Sequence, residues 1–394
     1  MCAPTLRRGR KKVSMTPSMQ PTALTARAGR ILKRFGMSLL YPAGDGMLDW
    51  YEVAGTAMDV AGEAWEAAAV GPDTAAEFDA YVAEVGPRVA EFTQLRLAKP
   101  LSAPVVLNRS EWIATITQSL KPLIETVLSG VYRSVLPEGD GVRASRFIRA
   151  ATTQEVGLII GYLAGRVLGQ YDVAFMAPDG APGALYFIHP NIVEAEERLG
   201  IEPRTFRRWL ALHEVTHGFQ FEANEWLKGH LKGLVEEQAR YIEAKLARAA
   251  EKAGAEKVSL DWLVKLAYAR PVRELISPEE NPVLARTQSL MSILEGYSEY
   301  VMEAAGPEIV AGGRGIADLL DQARRTRSVV RRLIERLIGL EIKMEQYRLG
   351  YLFIKKAAGV GGIGLANMVW RGPENMPTLT ELRHPELWFT RMLK

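Results

Sequence analysis

Apolar residues along this chain recur mostly at spacings of three and four, the repeat that lines one face of an α-helix. The spacing predicts helices over Leu48–Ala69, Thr74–Leu97, Trp112–Leu136, Ala144–Leu168, Glu194–Leu199, Pro203–Leu227, Lys232–Ala253, Ser259–Ala269, Pro282–Ala305 and Ile316–Lys356. A basic amphipathic helix is also expected over Ala23–Leu40, ended by the turn Tyr41-Pro-Ala-Gly-Asp-Gly46. Short β-prone runs occur in one place: Tyr171–Met176 and Ala184–His189 flank Pro178-Asp-Gly-Ala-Pro-Gly183, a hairpin signal. The pattern therefore predicts a mainly α fold with a small β-hairpin, and it lacks the alternating strands of a parallel α/β sheet. Gly157, Gly161, Gly165 and Gly169 stand four apart, a small-residue stripe that lets two helices approach closely.

Composition narrows the class. With 48% apolar and 24% charged residues over 394 positions, the chain can bury a sizeable core and is not a disordered polymer. No apolar run approaches the roughly 18–20 residues of a membrane-spanning helix. Cys2 is the one cysteine, so an internal disulfide and a cysteine-built zinc site are both excluded, and a metal must be held by His, Asp or Glu. The net charge of +3 conceals an asymmetry: nine of the 49 basic residues lie in residues 1–44, which hold no acid, leaving 40 basic against 46 acidic residues in the rest. The body is thus mildly acidic, which removes most support for a nucleic-acid partner. No apolar secretory core follows the basic run, and the chain reads as cytoplasmic. The expected organisation is a basic disordered leader over 1–30, a helical region over 31–104 and the main body over 105–394.

Two of the five histidines fall within Leu210-Ala-Leu-His-Glu-Val-Thr-His-Gly-Phe219. At i and i+4 on a helix, His213 and His217 project from one face a turn apart and can share one Zn²⁺. Glu214, beside the first of them, is placed to reach a zinc-bound water as a base. A third ligand must come from elsewhere. The elongated HExxHxxGxxH pattern fails because positions 220 and 223 are Gln220 and Ala223. Downstream, Leu294-Glu-Gly-Tyr-Ser-Glu-Tyr-Val-Met-Glu303 puts carboxylates at i, i+4 and i+8 behind an apolar lead-in. Burying an unpaired Glu295 would be costly, and a metal resolves that cost. Gly296 is expected to let this helix approach the HExxH helix. Glu299, one turn on, is placed to accept a hydrogen bond from a ligand imidazole.

These motifs resemble the glutamate-liganded zincins. Further blocks resemble the zincin-like metallopeptidase family of actinobacteria and Chloroflexi that carries a deazaflavin-coenzyme-biosynthesis label. They are Leu107-Asn-Arg-Ser-Glu-Trp112, Gly165-Arg-Val-Leu-Gly-Gln-Tyr-Asp172, His189-Pro-Asn191, Phe206 to His217, Gln220-Phe221, Trp226-Leu227, Leu294-Glu-Gly-Tyr297, Lys343-Met-Glu-Gln-Tyr347 with Gly350, and Trp370 with Pro373 to Thr378. The likeness covers roughly 105–390. It implies a helical zincin-like fold with one zinc per chain on His213, His217 and Glu295, and Glu214 as base, the residues that spacing selects. One departure is Glu225, where the family pattern has a proline before Trp226-Leu227.

The expected activity is zinc-dependent hydrolysis of a peptide, with Glu214 carrying the proton from water to the leaving amine. The strand Ala184–His189, through Tyr186, Ile188 and His189, is expected to offer a free edge to a substrate backbone. An electrophile for the developing oxyanion is expected among Tyr347, His230 and Tyr297, with His189 behind them. Tyr347 is favoured for its place in the Lys343-to-Gly350 block. The arginines between Arg324 and Arg336 read as a solvated helix face, and Gly359-Val-Gly-Gly-Ile-Gly364 as the end of a helix. Two other functions fit the same residues: a zinc hydrolase of a small amide or ester, and a silent scaffold stabilised by zinc.

Overall fold

A computed structural model of the protein describes residues 46–62, 70–135, 142–173, 182–252, 279–310, 316 and 340–393. The expected basic helix 23–40, the helix 259–269, the arginine cluster and most of 316–339 lie outside the described residues. The rest is mainly α, with one small sheet.

Helix starts follow local chemistry. Helix α1 (Trp50–Ala61) is capped by the Asp49 side chain, which accepts from the Glu52 N–H. Proline at the first positions opens α2 (Pro72–Thr93). After strand β1 (Val105–Leu107) come α3 (Arg109–Val135) and α4 (Val142–Ala164), then β2 (Gly169–Asp172) and β3 (Ala184–Ile188). Helix α5 (His189–Leu199) leads through Gly200, at φ 63°, to α6 (Pro203–Glu222). The Glu202 carboxylate caps α6 by accepting from the Arg204 and Thr205 N–H groups. The turn Ala223–Glu225 separates α6 from α7 (Trp226–Lys252), where a single helix to Leu227 was expected. Asn224 closes it: its amide donates to the Gln220 carbonyl and its carbonyl accepts from Leu227, so the missing proline at Glu225 leaves an ordered turn. Helix α8 (Pro282–Ala304) is capped by Asn281, α9 spans Leu340–Ala366, and α10 (Leu379–Arg383) and α11 (Pro385–Met392) follow.

The sheet corrects one expectation. Its order is β1-β3-β2, with β1 parallel and β2 antiparallel to β3. Strand β3 is therefore central, paired through Val105↔Tyr186 and Leu107↔Ile188 on one side and Gln170↔Tyr186 on the other. Tyr186 and Ile188 have no free backbone edge to offer a substrate, and His189 has already turned into α5.

Small residues set the closest helix contacts. A Cβ on Gly157 would lie 2.7 Å from Thr56 Cβ, and one on Gly161 2.5 Å from the Ala57 carbonyl, so the first two glycines of the stripe serve packing of α4 on α1, whereas a Cβ on Gly165 would meet nothing within 4 Å. Gly296 was expected to face the HExxH helix. Instead it crosses α9 at Gly350, where a Cβ on Gly296 would come within 2.2 Å of backbone. The glycine run 359–364 interrupts the helix as expected: Gly361 (φ −137°) and Gly362 (φ 69°) leave helical geometry, and a second short helical segment continues to Ala366. By length and composition the segment Arg348–Trp370 could cross a membrane, at mean hydropathy 1.2, although the sequence had offered no obvious span. Its Phe353, Ile354 and Ala357 are fully buried in the main core.

That core gathers α2, α6, α8, α9 and the sheet, with Phe78 stacked on Phe187 at 4.3 Å. A second cluster, built on Val53, Trp112, Ile113 and Ile160, joins α1, α3 and α4. Helices α6 and α8 thus meet inside the larger core, and each brings part of one polar site.

Candidate metal centre

Helix α6 buries Leu210, Ala211, Leu212, Val215 and Phe219, which fixes the face on which its histidines stand. His213 and His217 remain partly accessible, with side-chain exposures of 27% and 12%. Their Nε2 atoms lie 3.2 Å apart, and the Glu295 Oε2 of α8 is 4.0 Å from one and 3.9 Å from the other. Among the described residues this is the one grouping of three His, Cys, Asp or Glu able to share an ion. A tetrahedral ion bound at about 2.05 Å to two nitrogens needs them about 3.3 Å apart, so the imidazoles are spaced as Zn²⁺ requires. The donor set of two imidazoles and one carboxylate is also that of catalytic zinc sites, which leave a position open for water or substrate. The Trp209 ring lies near-parallel to His213, at 6.3 Å between centroids and 9° between planes.

Glu214 points to the other side of the same cavity. It is only 5% exposed and sits against β2, where Gly169 leaves the room it occupies: a Cβ there would be 2.7 Å from the Glu214 Cγ and Oε1. Burial pushes its carboxyl up to about 8, and the nearby Glu295 charge acts in the same direction. The Tyr171 backbone N–H pulls it the other way. The cavity, about 320 Å³, is lined by these four ionisable residues together with apolar groups including Val173, Phe221, Leu231 and Met291.

Two supports were not read from the motif. Gln220, fully buried one turn after His217, holds His217 Nδ1 at 2.8 Å through its Oε1 and donates from Nε2 to the Leu294 carbonyl at 2.9 Å. Its only sequence signal was its place in the Gln220-Phe221 block. At the end of α6, the Glu222 carboxylate accepts from the Tyr171 hydroxyl and from the Gly183 N–H at 3.0 Å, and pairs with Lys228 at 2.7 Å. This ties the loop end of the β2–β3 pair to α6. Burial and the Glu222 carboxylate hold the Tyr171 hydroxyl far above its ordinary value.

The other expected residues are placed as follows. Tyr297 is fully buried and does not line the cavity: its hydroxyl donates to Asn367 Oδ1 at 2.7 Å and its ring meets Trp370 edge-on, a link within the core. His230 also stands outside the cavity lining, edge-on to Trp226, with its value lowered by burial and by Arg286. His189 is half-buried at the start of α5, its value lowered by burial and by Arg207. Glu299 is exposed one turn beyond Glu295. The acceptor for the His217 imidazole is Gln220 rather than a carboxylate. Glu303 belongs to a surface cluster with Tyr351 and Lys355. Tyr347 belongs to α9, but its side chain lies outside the described residues.

A mainly helical fold with an HExxH helix, and a glutamate brought to it from a second helix, defines a zincin-like protein. The chain belongs to the zincin-like metallopeptidase family, whose pattern matches residues 48–389 and so takes in the helices α1 and α2 as well. It is also similar to a solved structure from Chloroflexus aurantiacus described as "a putative hydrolase with a novel fold". The two share 29% identity at a TM-score of 0.65, over 88% of this chain and 99% of that one. No curated protein matches the sequence.

Proposed function

We propose that this protein is a zinc-dependent hydrolase that cleaves amide bonds in peptides. The observation that carries the reading is the convergence of His213, His217 and Glu295 from two helices around one point, with buried Glu214 facing the same cavity. Zinc held there would act as a Lewis acid on the scissile carbonyl and lower the pKa of its water to roughly 7. Glu214 would take the proton of the attacking water and return it to the leaving nitrogen. A carboxyl with its value near neutrality suits both transfers, and nearby zinc charge would bring it lower and favour the base form. The apolar lining of Val173, Phe221, Leu231 and Met291 would seat an apolar substrate side chain and help exclude water.

The docking edge moves from β3 to β2. Strand β2 ends the sheet, its residues Gly169–Tyr171 line the cavity, and the Tyr171 N–H turned towards Glu214 marks the edge facing α6. An extended peptide laid along β2 would bring its carbonyl to the metal site. A cavity of about 320 Å³ lies at the small end of ligand pockets and favours, as a second reading, a small amide substrate.

The test combines metal analysis with hydrolysis. Chelator-free wild type should carry one zinc per chain, and His213→Ala and Glu295→Ala should lose it. Glu214→Gln should keep zinc and lose cleavage of a mixed peptide library. Cleavage of small acyl amides with no cleavage of peptides would select the second reading. A wild type without stoichiometric metal would end the enzyme proposal, and retained turnover in Glu214→Gln would remove Glu214 as the base.

A further inference from the structure

We propose that Gln220 is the positioning residue that prepares the zinc ligands, fixing the tautomer of His217 and the placement of Glu295 with a single amide. This inference rests on the reading of His213, His217 and Glu295 as a zinc site. The Leu294 carbonyl can only accept, so the Gln220 group 2.9 Å from it must be the NH₂. Oε1 then faces the His217 Nδ1 at 2.8 Å, and Nδ1 must carry the proton to donate to it. The unprotonated nitrogen of His217 is therefore Nε2, the one facing His213 and Glu295. Without such a partner a neutral imidazole is free to hold its proton on either nitrogen, and one of the two tautomers cannot bind a metal through Nε2.

The second arm of the amide acts on the other helix. Leu294 directly precedes Glu295, so anchoring its carbonyl to α6 sets where α8 delivers the carboxylate. Gln220 is itself held: it is fully buried, and its own carbonyl accepts from Asn224 Nδ2 at 2.7 Å. Glutamine is the side chain that serves both arms. An ionised glutamate would accept from His217 but cannot donate to Leu294, and a methionine of similar length would do neither.

The test measures zinc affinity by competition with a chromophoric chelator. It also reads the His217 tautomer in metal-free protein from long-range ¹H–¹⁵N correlation spectra. Wild type should bind one zinc and show His217 protonated at Nδ1. Gln220→Met should bind zinc roughly 10–100-fold more weakly, the usual cost of losing a ligand's hydrogen-bond partner, and show His217 in mixed tautomers. Gln220→Glu, measured at a pH high enough to ionise the new carboxyl, should keep the Nδ1 proton yet bind zinc more weakly than wild type at the same pH, because the tie to α8 is cut. If Gln220→Met does not fold, Gln220→Glu decides alone: wild-type affinity there, or loss of the Nδ1 proton, overturns the proposal. Unchanged affinity and tautomer in a folded Gln220→Met would overturn it while leaving the zinc site standing. A wild type that binds no zinc would overturn both.

Discussion

Replacing Glu214 by glutamine should stabilise the metal-free protein while removing the base proposed above, and the gain should grow with pH. In the folded state the Glu214 carboxyl titrates at about 8, against 4.5 for an ordinary glutamate, because burial disfavours its charge and Glu295 adds repulsion. Between those two values the native state holds a proton that the unfolded chain has released. Stability therefore falls as pH rises through this window, the reverse of the usual ion-paired carboxylate. Each pH unit costs about 1.4 kcal/mol, so from pH 5 to pH 7.5 the penalty grows by roughly 3 kcal/mol. Glutamine fills the same space, carries no charge and has no such dependence.

The assay is a pair of urea titrations on chelator-treated wild type and Glu214→Gln at several values between pH 5 and pH 7.5. Taking the difference between the two proteins cancels the other titrating groups. The variant's midpoint should lie close to wild type at pH 5 and well above it at pH 7.5. Zinc should narrow the gap at pH 7.5, since a cation beside Glu214 favours the ionised form and so offsets the penalty. Parallel midpoints across the range, with no widening, would refute the claim that Glu214 is held protonated in the cavity.

Four further changes probe the frame. Gly296→Ala puts a Cβ 2.2 Å from the backbone of Gly350 and Tyr351, so it should cost about 3 kcal/mol or more and appear as a large drop in melting temperature. Gly233→Ala on α7 meets nothing within 4 Å and should be neutral or stabilising by about 0.5–1 kcal/mol, which controls for the helix itself. Gly169→Ala meets Glu214 Cγ and Oε1 at 2.7 Å, and because that side chain is buried it must shift; the change should cost about 1–3 kcal/mol in stability and displace Glu214, with turnover down about 100-fold. Asn281→Ala removes the Oδ1 that accepts from both the Val283 and Leu284 N–H groups at the start of α8 and should cost about 1 kcal/mol in thermal stability, with zinc content unaltered.

The contrast between Gly169 and Gly296 also explains what the sequence could and could not disclose. His213, Glu214 and His217 were legible because the helical repeat alone puts residues four apart on one face. Glu295 was singled out as a carboxylate behind an apolar lead-in, although its side chain keeps 28% exposure and is less buried than that lead-in suggested. Both arguments stay within one helix. The errors concern which neighbour a face meets. Gly296 promised a close approach, but the repeat does not say to which helix, and it meets α9 at Gly350. Tyr297 shares the helix of Glu295, yet two residues on it points about 200° around the axis, and so its hydroxyl reaches Asn367 in the core. Strand β3 became central because Val105–Leu107, three residues with no measurable period, pairs with it from some eighty positions upstream.

Gln220 belongs to the same class of hidden information. At i+3 from His217 its reach to that ring follows from helix geometry, as the two histidines' proximity does. What gives the residue its meaning is the Leu294 carbonyl, seventy-four positions away, because that partner orients the amide and through it the imidazole proton. A local motif can therefore specify which atoms are available to bind a metal, whereas the protonation state that lets them bind it is set by a contact between helices.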